Sequence, residues 1–197
     1  MKPLIFILLA SLACNTALTQ SSVEGGQPHF RWSLRKAQDL YDKPSILRST
    51  ELTAEEKEAL ISEIANLIRP FMEDQGISSE RELRSLAAGT RVWLVDLDGD
   101  GIPEIVAHAY GVKEGCGATG NCTLWVFKNT ADGYKKLLDT REKDGIGGIE
   151  YVTVEDTRTN GFKDLVLASH VSVDEKALEV YRFRNERYRS ESCYYAQ

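Results

Sequence analysis

The nine residues Asp96-Leu97-Asp98-Gly99-Asp100-Gly101-Ile102-Pro103-Glu104 carry the densest oxygen chemistry in the chain. Asp96, Asp98 and Asp100 stand at positions one, three and five of a loop. Gly101 stands at position six, where the backbone must turn sharply. The carbonyl of Ile102 at position seven and the carboxylate of Glu104 at position nine complete an oxygen shell. Calcium is a hard cation that takes six to eight oxygens at about 2.3–2.6 Å, and this loop offers such a set. Asp and Gly are also ordinary turn residues. Aspartates alternating through so short a stretch nevertheless repel one another until a cation neutralises them. The loop therefore predicts a Ca2+ site built from Asp96, Asp98, Asp100, Ile102 and Glu104.

The elements around the loop decide what kind of site it is. An EF-hand needs a bidentate glutamate at position twelve and a helix on either side. Position twelve is Ala107, and the flanks are Val92-Trp93-Leu94-Val95 and Ile105-Val106-Ala107, short β-branched and apolar runs that read as strands. A D-x-D-x-D-G-x-x-[DE] loop entering an apolar strand resembles the FG-GAP or VCBS repeat, the unit of integrin-type β-propellers. That resemblance implies an extracellular, calcium-stabilised β-module used for adhesion or recognition rather than chemistry.

Set against itself, the chain aligns a second time. Val92-Trp93-Leu94-Val95-Asp96 matches Val152-Thr153-Val154-Glu155-Asp156 at an offset of 60, and Glu104-Ile105-Val106 falls on Asp164-Leu165-Val166. Further on the offset drops to 54, pairing Leu124, Val126 and Tyr134 with Leu178, Val180 and Tyr188. The extra residues of the first copy fall where Cys116 and Cys122 lie, so the cysteine loop reads as an elaboration of one copy. Each copy predicts four strands: near 91–96, 103–110, 123–128 and 133–139, then near 149–155, 163–170, 177–183 and 187–193. Asp132-Gly133 and the Arg184–Arg187 stretch serve as hairpin turns. About 60 residues per four-stranded unit suits a propeller blade. In the second copy Arg158 and Asn160 replace two carboxylates. That copy is expected to keep the turn and lose the ion, with Arg158 pairing to Asp156 or Asp164.

Two blades cannot close a ring, so their faces need a cover. Residues 30–89 supply helices for it. Thr53-Ala54-Glu55-Glu56 is a capping box, and Leu60, Ile61, Ile64, Leu67, Ile68 and Phe71 share one helical face. Pro70 is expected to end or kink this helix. Ser79 starts a second helix that runs to Ala88 and stops at Gly89, and a weaker helical segment lies near 33–41. The expected fold is α+β: N-terminal helices packed on an antiparallel β-region of two four-stranded, propeller-blade-like repeats, 90–145 and 146–197.

The chain has 197 residues and a net charge of −6. Lys2 followed by the apolar stretch Leu4 to Ala13 reads as a signal peptide over 1–19, too short to span a bilayer. Cys14 raises a lipoprotein anchor as a less favoured alternative, because Ser11-Leu12-Ala13 lacks the usual Leu three residues before the cysteine. Export to the periplasm or the cell exterior is the expectation, with no integral membrane segment after the leader is removed. The acidic balance disfavours nucleic acid as a partner. A Cys116–Cys122 disulfide suits an oxidising compartment. A bond from either of these to Cys193 is the competing pairing; otherwise Cys193 is left odd, as a buried thiol or a link between chains.

Other motifs carry less. Gly115 to Gly120 spells G-x-G-x-x-G, but the strand-like Thr123-Leu124-Trp125-Val126-Phe127 follows where a dinucleotide fingerprint needs a helix. His108 and His170, near equivalent strand ends, lack the further ligands a zinc site requires. The arginines alternating with aromatics over 181–189 read as a charge-protected edge strand. The functional expectation is an exported, calcium-binding, non-enzymatic recognition module for a protein or glycan partner. The alternative is a small exported hydrolase inhibitor acting through the Cys116–Cys122 loop. A metal-dependent enzyme is a third reading, lacking any cleft or general base in the sequence.

Overall fold

The computed structural model describes residues 32, 34–110, 116, 122–142, 148–172 and 175–196. The signal-peptide and Cys14 readings fall outside these residues, as do the glycines of Gly115–Gly120. The chain runs through a short strand β1 (Gln38–Asp39), helices α1 (Ala54–Asp74) and α2 (Glu80–Ala88), and eight further strands. These are β2 (Arg91–Val95), β3 (Glu104–His108), β4 (Leu124–Thr130), β5 (Gly133–Asp139), β6 (Tyr151–Thr159), β7 (Phe162–Ser172), β8 (Glu175–Arg184) and β9 (Arg187–Ala196). The fold is α+β, with two antiparallel sheets ordered β2-β3-β4-β5 and β1-β6-β7-β8-β9.

The two meanders share one pairing register. Leu94 faces Ile105 and Val154 faces Leu165, which are the same pair 60 residues apart. Val126 faces Leu138 and Val180 faces Ser192, the same pair 54 residues apart. Even the irregularity recurs: the register shifts between Val126 and Phe127 and between Val180 and Tyr181. The offsets that align the sequence thus align the strands as well.

Period-two alternation sorts the side chains into layers. Ile105, Ala107, Trp125 and Phe127 face α1 and α2, packing on Leu60, Ile64, Ile68 and Leu83. Val106, Leu124 and Val126 point the other way, against Val152, Leu165, Leu167 and Tyr181 of the second sheet. The molecule is therefore layered helices, four-stranded sheet, five-stranded sheet. The helices cover one sheet only. On the outer face of the five-stranded sheet, Val166, Ala168, Leu178 and Val180 meet Trp32, Tyr151 and Tyr194, and the Trp32 indole donates to Thr153 Oγ1 at 3.1 Å.

The capping box forms as expected: the Glu56 amide donates to Thr53 Oγ1 at 3.2 Å and the Thr53 amide to Glu56 Oε2 at 2.8 Å. Ser79 caps α2 and Gly89 ends it. Pro70 does not end α1, which continues to Asp74. An interior proline costs roughly 3 kcal/mol, but here Asn66 and Pro70 are exposed, so the carbonyl that loses its donor meets water. Continuing the helix buries Met72 to 1% exposure, a gain of about 1.5–3 kcal/mol. Arg141 adds to this, donating to the Leu67 carbonyl at 3.1 Å and lying over the otherwise exposed Phe71 ring at 4.5 Å. The weak segment near 33–41 is not an α-helix: a 3-10 turn at Leu34–Lys36 leads into β1, which pairs with β6. The turn placed at Asp132-Gly133 sits one residue earlier, because Gly133 already pairs with Thr130 as the first residue of β5.

Cys116 and Cys122 form a disulfide. Cys122 also pairs with Ile149, exchanging backbone hydrogen bonds of 3.2 and 2.7 Å at the passage between the two meanders. Cys193 is not an odd thiol: it is disulfide-bonded. Among the described residues no helix is long and apolar enough to cross a membrane.

Candidate metal centre

The acidic loop joins β2 to β3, with Val95 and Glu104 as the last pair of the ladder beneath it. Its conformation is written by its own side chains. Asp96 Oδ1 accepts from the Gly99 amide at 2.6 Å and Oδ2 from the Gly101 amide at 3.3 Å. Asp98 Oδ1 accepts from the Asp100 amide at 3.1 Å, and Asp100 Oδ1 from the Ile102 amide at 2.8 Å. The last two are Asx turns in succession. Gly101 has φ +85° with nothing within 4 Å of where a Cβ would sit, so glycine is required there by backbone conformation and not by space.

The loop brings Asp96, Asp98 and Glu104 together, with one carboxylate oxygen from each lying within 4.8 Å of the others. Asp100 lies at the more exposed rim, and Ile102 is 58% exposed. Glu104 is the anchor. It is fully buried, its Oε2 accepts from the Leu97 amide at 2.8 Å, and its Oε1 makes no hydrogen bond. Burial pushes its carboxyl above the usual range, against the Leu97 hydrogen bond and the lysine described next. A buried carboxylate grouped with two further aspartates offers the oxygens that a hard divalent cation takes. Asp96, Asp98 and Glu104 could hold a metal ion.

A residue that the sequence reading missed stands in this cluster. Lys128, on β4, places its ammonium against Asp98 Oδ2, at 2.8 Å from Asp100 Oδ2 and at 3.4 Å from Glu104 Oε1. Burial alone would lower its pKa, but the hydrogen bonds to Asp100 and Asp98 and the charge of Glu104 lift it above the ordinary lysine value. The same contact holds the Asp100 carboxyl below its usual range, helped by the Ile102 amide.

The second copy explains why Lys128 is there. At the offset of 54, Lys128 falls on Arg182; at the offset of 60, Glu104 falls on Asp164. Asp164 is also buried, and the Arg182 Nε lies 3.6 Å from its Oδ2. Leu97 falls on Thr157, whose hydroxyl donates to the same Asp164 oxygen at 2.8 Å, where Leu97 uses its amide. Each meander thus buries a carboxylate at the start of its second strand, with a cation reaching it from the third. The sequence carried only a partial signal of this, a basic residue at both Lys128 and Arg182 in the offset of 54.

Arg158 does not pair with Asp156 or Asp164 as expected. Its Nη1 donates to the Leu97 carbonyl at 3.2 Å and to the Gly161 carbonyl at 2.6 Å. The Lys163 amide also donates to the Leu97 carbonyl, at 2.8 Å. The second hairpin therefore clasps the acidic loop from beside it, and Asp164 is served by Thr157 and Arg182 instead. Asn160 donates to the Phe183 carbonyl at 2.8 Å.

The histidines do not meet. His108 is buried, its Nε2–H donating to the Ile149 carbonyl at 2.8 Å, and burial lowers its pKa to about 4. His170 lies 3.3 Å from Glu150, beside Lys176. The two are not equivalent either, because the register counterpart of His108 is Ala168. The arginines of the last hairpin are paired where they are described: Arg182 and Arg184 with Glu191, Arg187 with Glu142.

Comparison of the chain with protein-family models, with curated proteins and with solved structures finds no match.

Proposed function

We propose that this chain is an exported, calcium-stabilised, non-enzymatic recognition module of the FG-GAP/VCBS type, with one working loop. The observation that carries the reading is Glu104: a fully buried carboxylate that the loop brings together with Asp96 and Asp98, one oxygen from each lying within 4.8 Å of the others. Calcium supplies positive charge and oxygen coordination there. The protein's own contribution is to hold Asp96, Asp98, Asp100 and Glu104 in place through the loop amides and the Leu97 amide, with Ile102 offering its carbonyl. The two stacked, co-registered meanders behave as a pair of propeller-like blades, with α1 and α2 covering one open face. The disulfide suits a periplasmic or extracellular setting.

With a dissociation constant of about 0.1 mM and about 1 mM calcium outside the cell, binding adds about 1.4 kcal/mol of stability. That reinforces a fold already formed; it does not switch folding on. Titration calorimetry on the mature chain is the test. One calcium site in the wild type and none in Asp98→Ala is the expected result. No heat at millimolar calcium in the wild type would overturn the reading.

A second reading rests on the disulfide. The Cys116–Cys122 bond closes one loop at its base and the Cys122–Ile149 pairing ties that base to the passage between the meanders, which lowers the ordering cost of binding through it. A small inhibitor of an exported hydrolase would use such a loop. Replacing residues 117–121 by a glycine linker would then abolish inhibition while calcium affinity survives.

A further inference from the structure

We propose that Lys128 is a tethered cation that exchanges with the metal ion, so that the acidic loop is closed by lysine in one state and by a divalent cation in the other. This rests on the calcium reading of the loop and names its regulation.

Three carboxylates converge on one ammonium: Asp98, Asp100 and Glu104 all lie within 3.4 Å of Lys128 Nζ. Two of them, Asp98 and Glu104, belong to the group that could hold a metal. An ammonium and a divalent cation cannot both occupy a space of that size, because their repulsion in a half-buried site far exceeds what water leaves between exposed charges. The lysine has somewhere to go. Its side chain is 26% exposed, it approaches the Phe162 ring at 5.6 Å, and its stem is flexible.

The second meander shows what the position is for. There Arg158 and Asn160 replace two of the turn's carboxylates, yet Arg182 still addresses the buried Asp164. A cation from the third strand is thus the permanent partner of the buried carboxylate where no metal set exists. In the first meander the same strand position holds a lysine, whose single ammonium leaves more readily than a forked guanidinium. The exchange keeps Glu104 neutralised at any calcium level, and it weakens the apparent calcium affinity by the fraction of molecules in which the lysine is withdrawn.

Two measurements test this. In calorimetry, Lys128→Met is expected to bind one calcium about 10- to 100-fold more tightly than the wild type, since no lysine need be displaced. Lys128→Gln serves should the methionine variant fail to fold. In the wild-type chain, acetylation of lysines by an N-hydroxysuccinimide ester, read by peptide mass spectrometry, is expected to modify Lys128 slowly in chelator. It should be at least several-fold faster in saturating calcium, while Lys57 and Lys135 serve as unchanged controls. Unaltered affinity in the variants, or unaltered Lys128 reactivity while calcium binds, overturns the exchange and leaves the calcium site standing. Silence toward calcium in both wild type and variants overturns the calcium reading and the exchange together.

Discussion

Residues 96–104 and 156–164 occupy the same place in two meanders of one register, and they end as different objects. The first is an open loop in which β2 stops at Val95 and β3 begins at Glu104, with four carboxylates between and at the rim. The second is zipped shut: β6 runs on to Thr159, β7 starts at Phe162, and Asn160-Gly161 makes a two-residue turn. Both turn residues have positive φ, +50° and +90°, which is the signature of a type I′ hairpin. The difference lies in charge. Alternating aspartates hold a loop open by repulsion and by bonding their own backbone, whereas Asn-Gly lets the strands pair to the tip. Where Arg158 and Asn160 stand in place of two aspartates the turn is a tight hairpin, and that hairpin supports the loop beside it.

The sharpest way to break this comparison is to remove the buried carboxylate on each side. Glu104→Ala strips the Leu97 amide of its acceptor and leaves Lys128 facing two partners. It should cost about 3–5 kcal/mol in urea unfolding, as expected when one partner of a buried charge pair is deleted. Asp164→Ala should cost less, about 1–3 kcal/mol, because Arg182 is 44% exposed and retains Glu191.

A pH titration separates the far ends of the same strands. His108 is neutral in the fold, with its pKa lowered to about 4 by burial, while its counterpart in the second sheet is Ala168. The unfolded chain binds the proton from about pH 6.5 downward and the native chain only near 4. Stability is therefore full above about 6.5 and falls as pH drops toward 4, by on the order of 3 kcal/mol. In His108→Gln, which retains a donor for the Ile149 carbonyl, this slope should flatten in denaturant melts taken across that window.

Glycine substitutions sharpen the contrast at smaller cost. Gly101→Ala and Gly161→Ala each force an L side chain into positive φ, at +85° and +90°, for about 1–2 kcal/mol in thermal melts. Only the first should also weaken calcium binding. Smallest is Arg158→Ala. The Leu97 carbonyl retains the Lys163 amide, so about 1 kcal/mol is expected, with one calcium site still visible by calorimetry. Appearance of a second calcium site in that variant would mean that the guanidinium alone had silenced the second copy.

Much of the architecture was legible because its signals are local. The capping box at Thr53, the stop at Gly89 and the apolar strand run Ile105-Val106-Ala107 depend on neighbours in the chain and appear where expected. The internal offsets of 60 and 54 carried over to the pairing register without change. What escaped depended on contacts between distant residues. Pro70 reads as a helix end until Met72 is seen buried beyond it, and Arg158 reads as an ion pair until the Leu97 carbonyl is found beside it. Gln38–Asp39 carries no strand pattern, and becomes a strand because β6 has a free edge.

The residue sequence by itself determined the loop, its open form and the identity of its carboxylates, since Asx turns and like-charge repulsion act within a few residues. It also determined the two four-stranded units, because strand period and turn residues are local properties. Tertiary structure alone decided that the units stack face to face instead of side by side, that the helices cover one of them, and that Lys128 reaches the acidic loop from β4. Those outcomes turn on which apolar faces meet and which charges are then left within a few ångströms of each other, and neither is written at any single position in the chain.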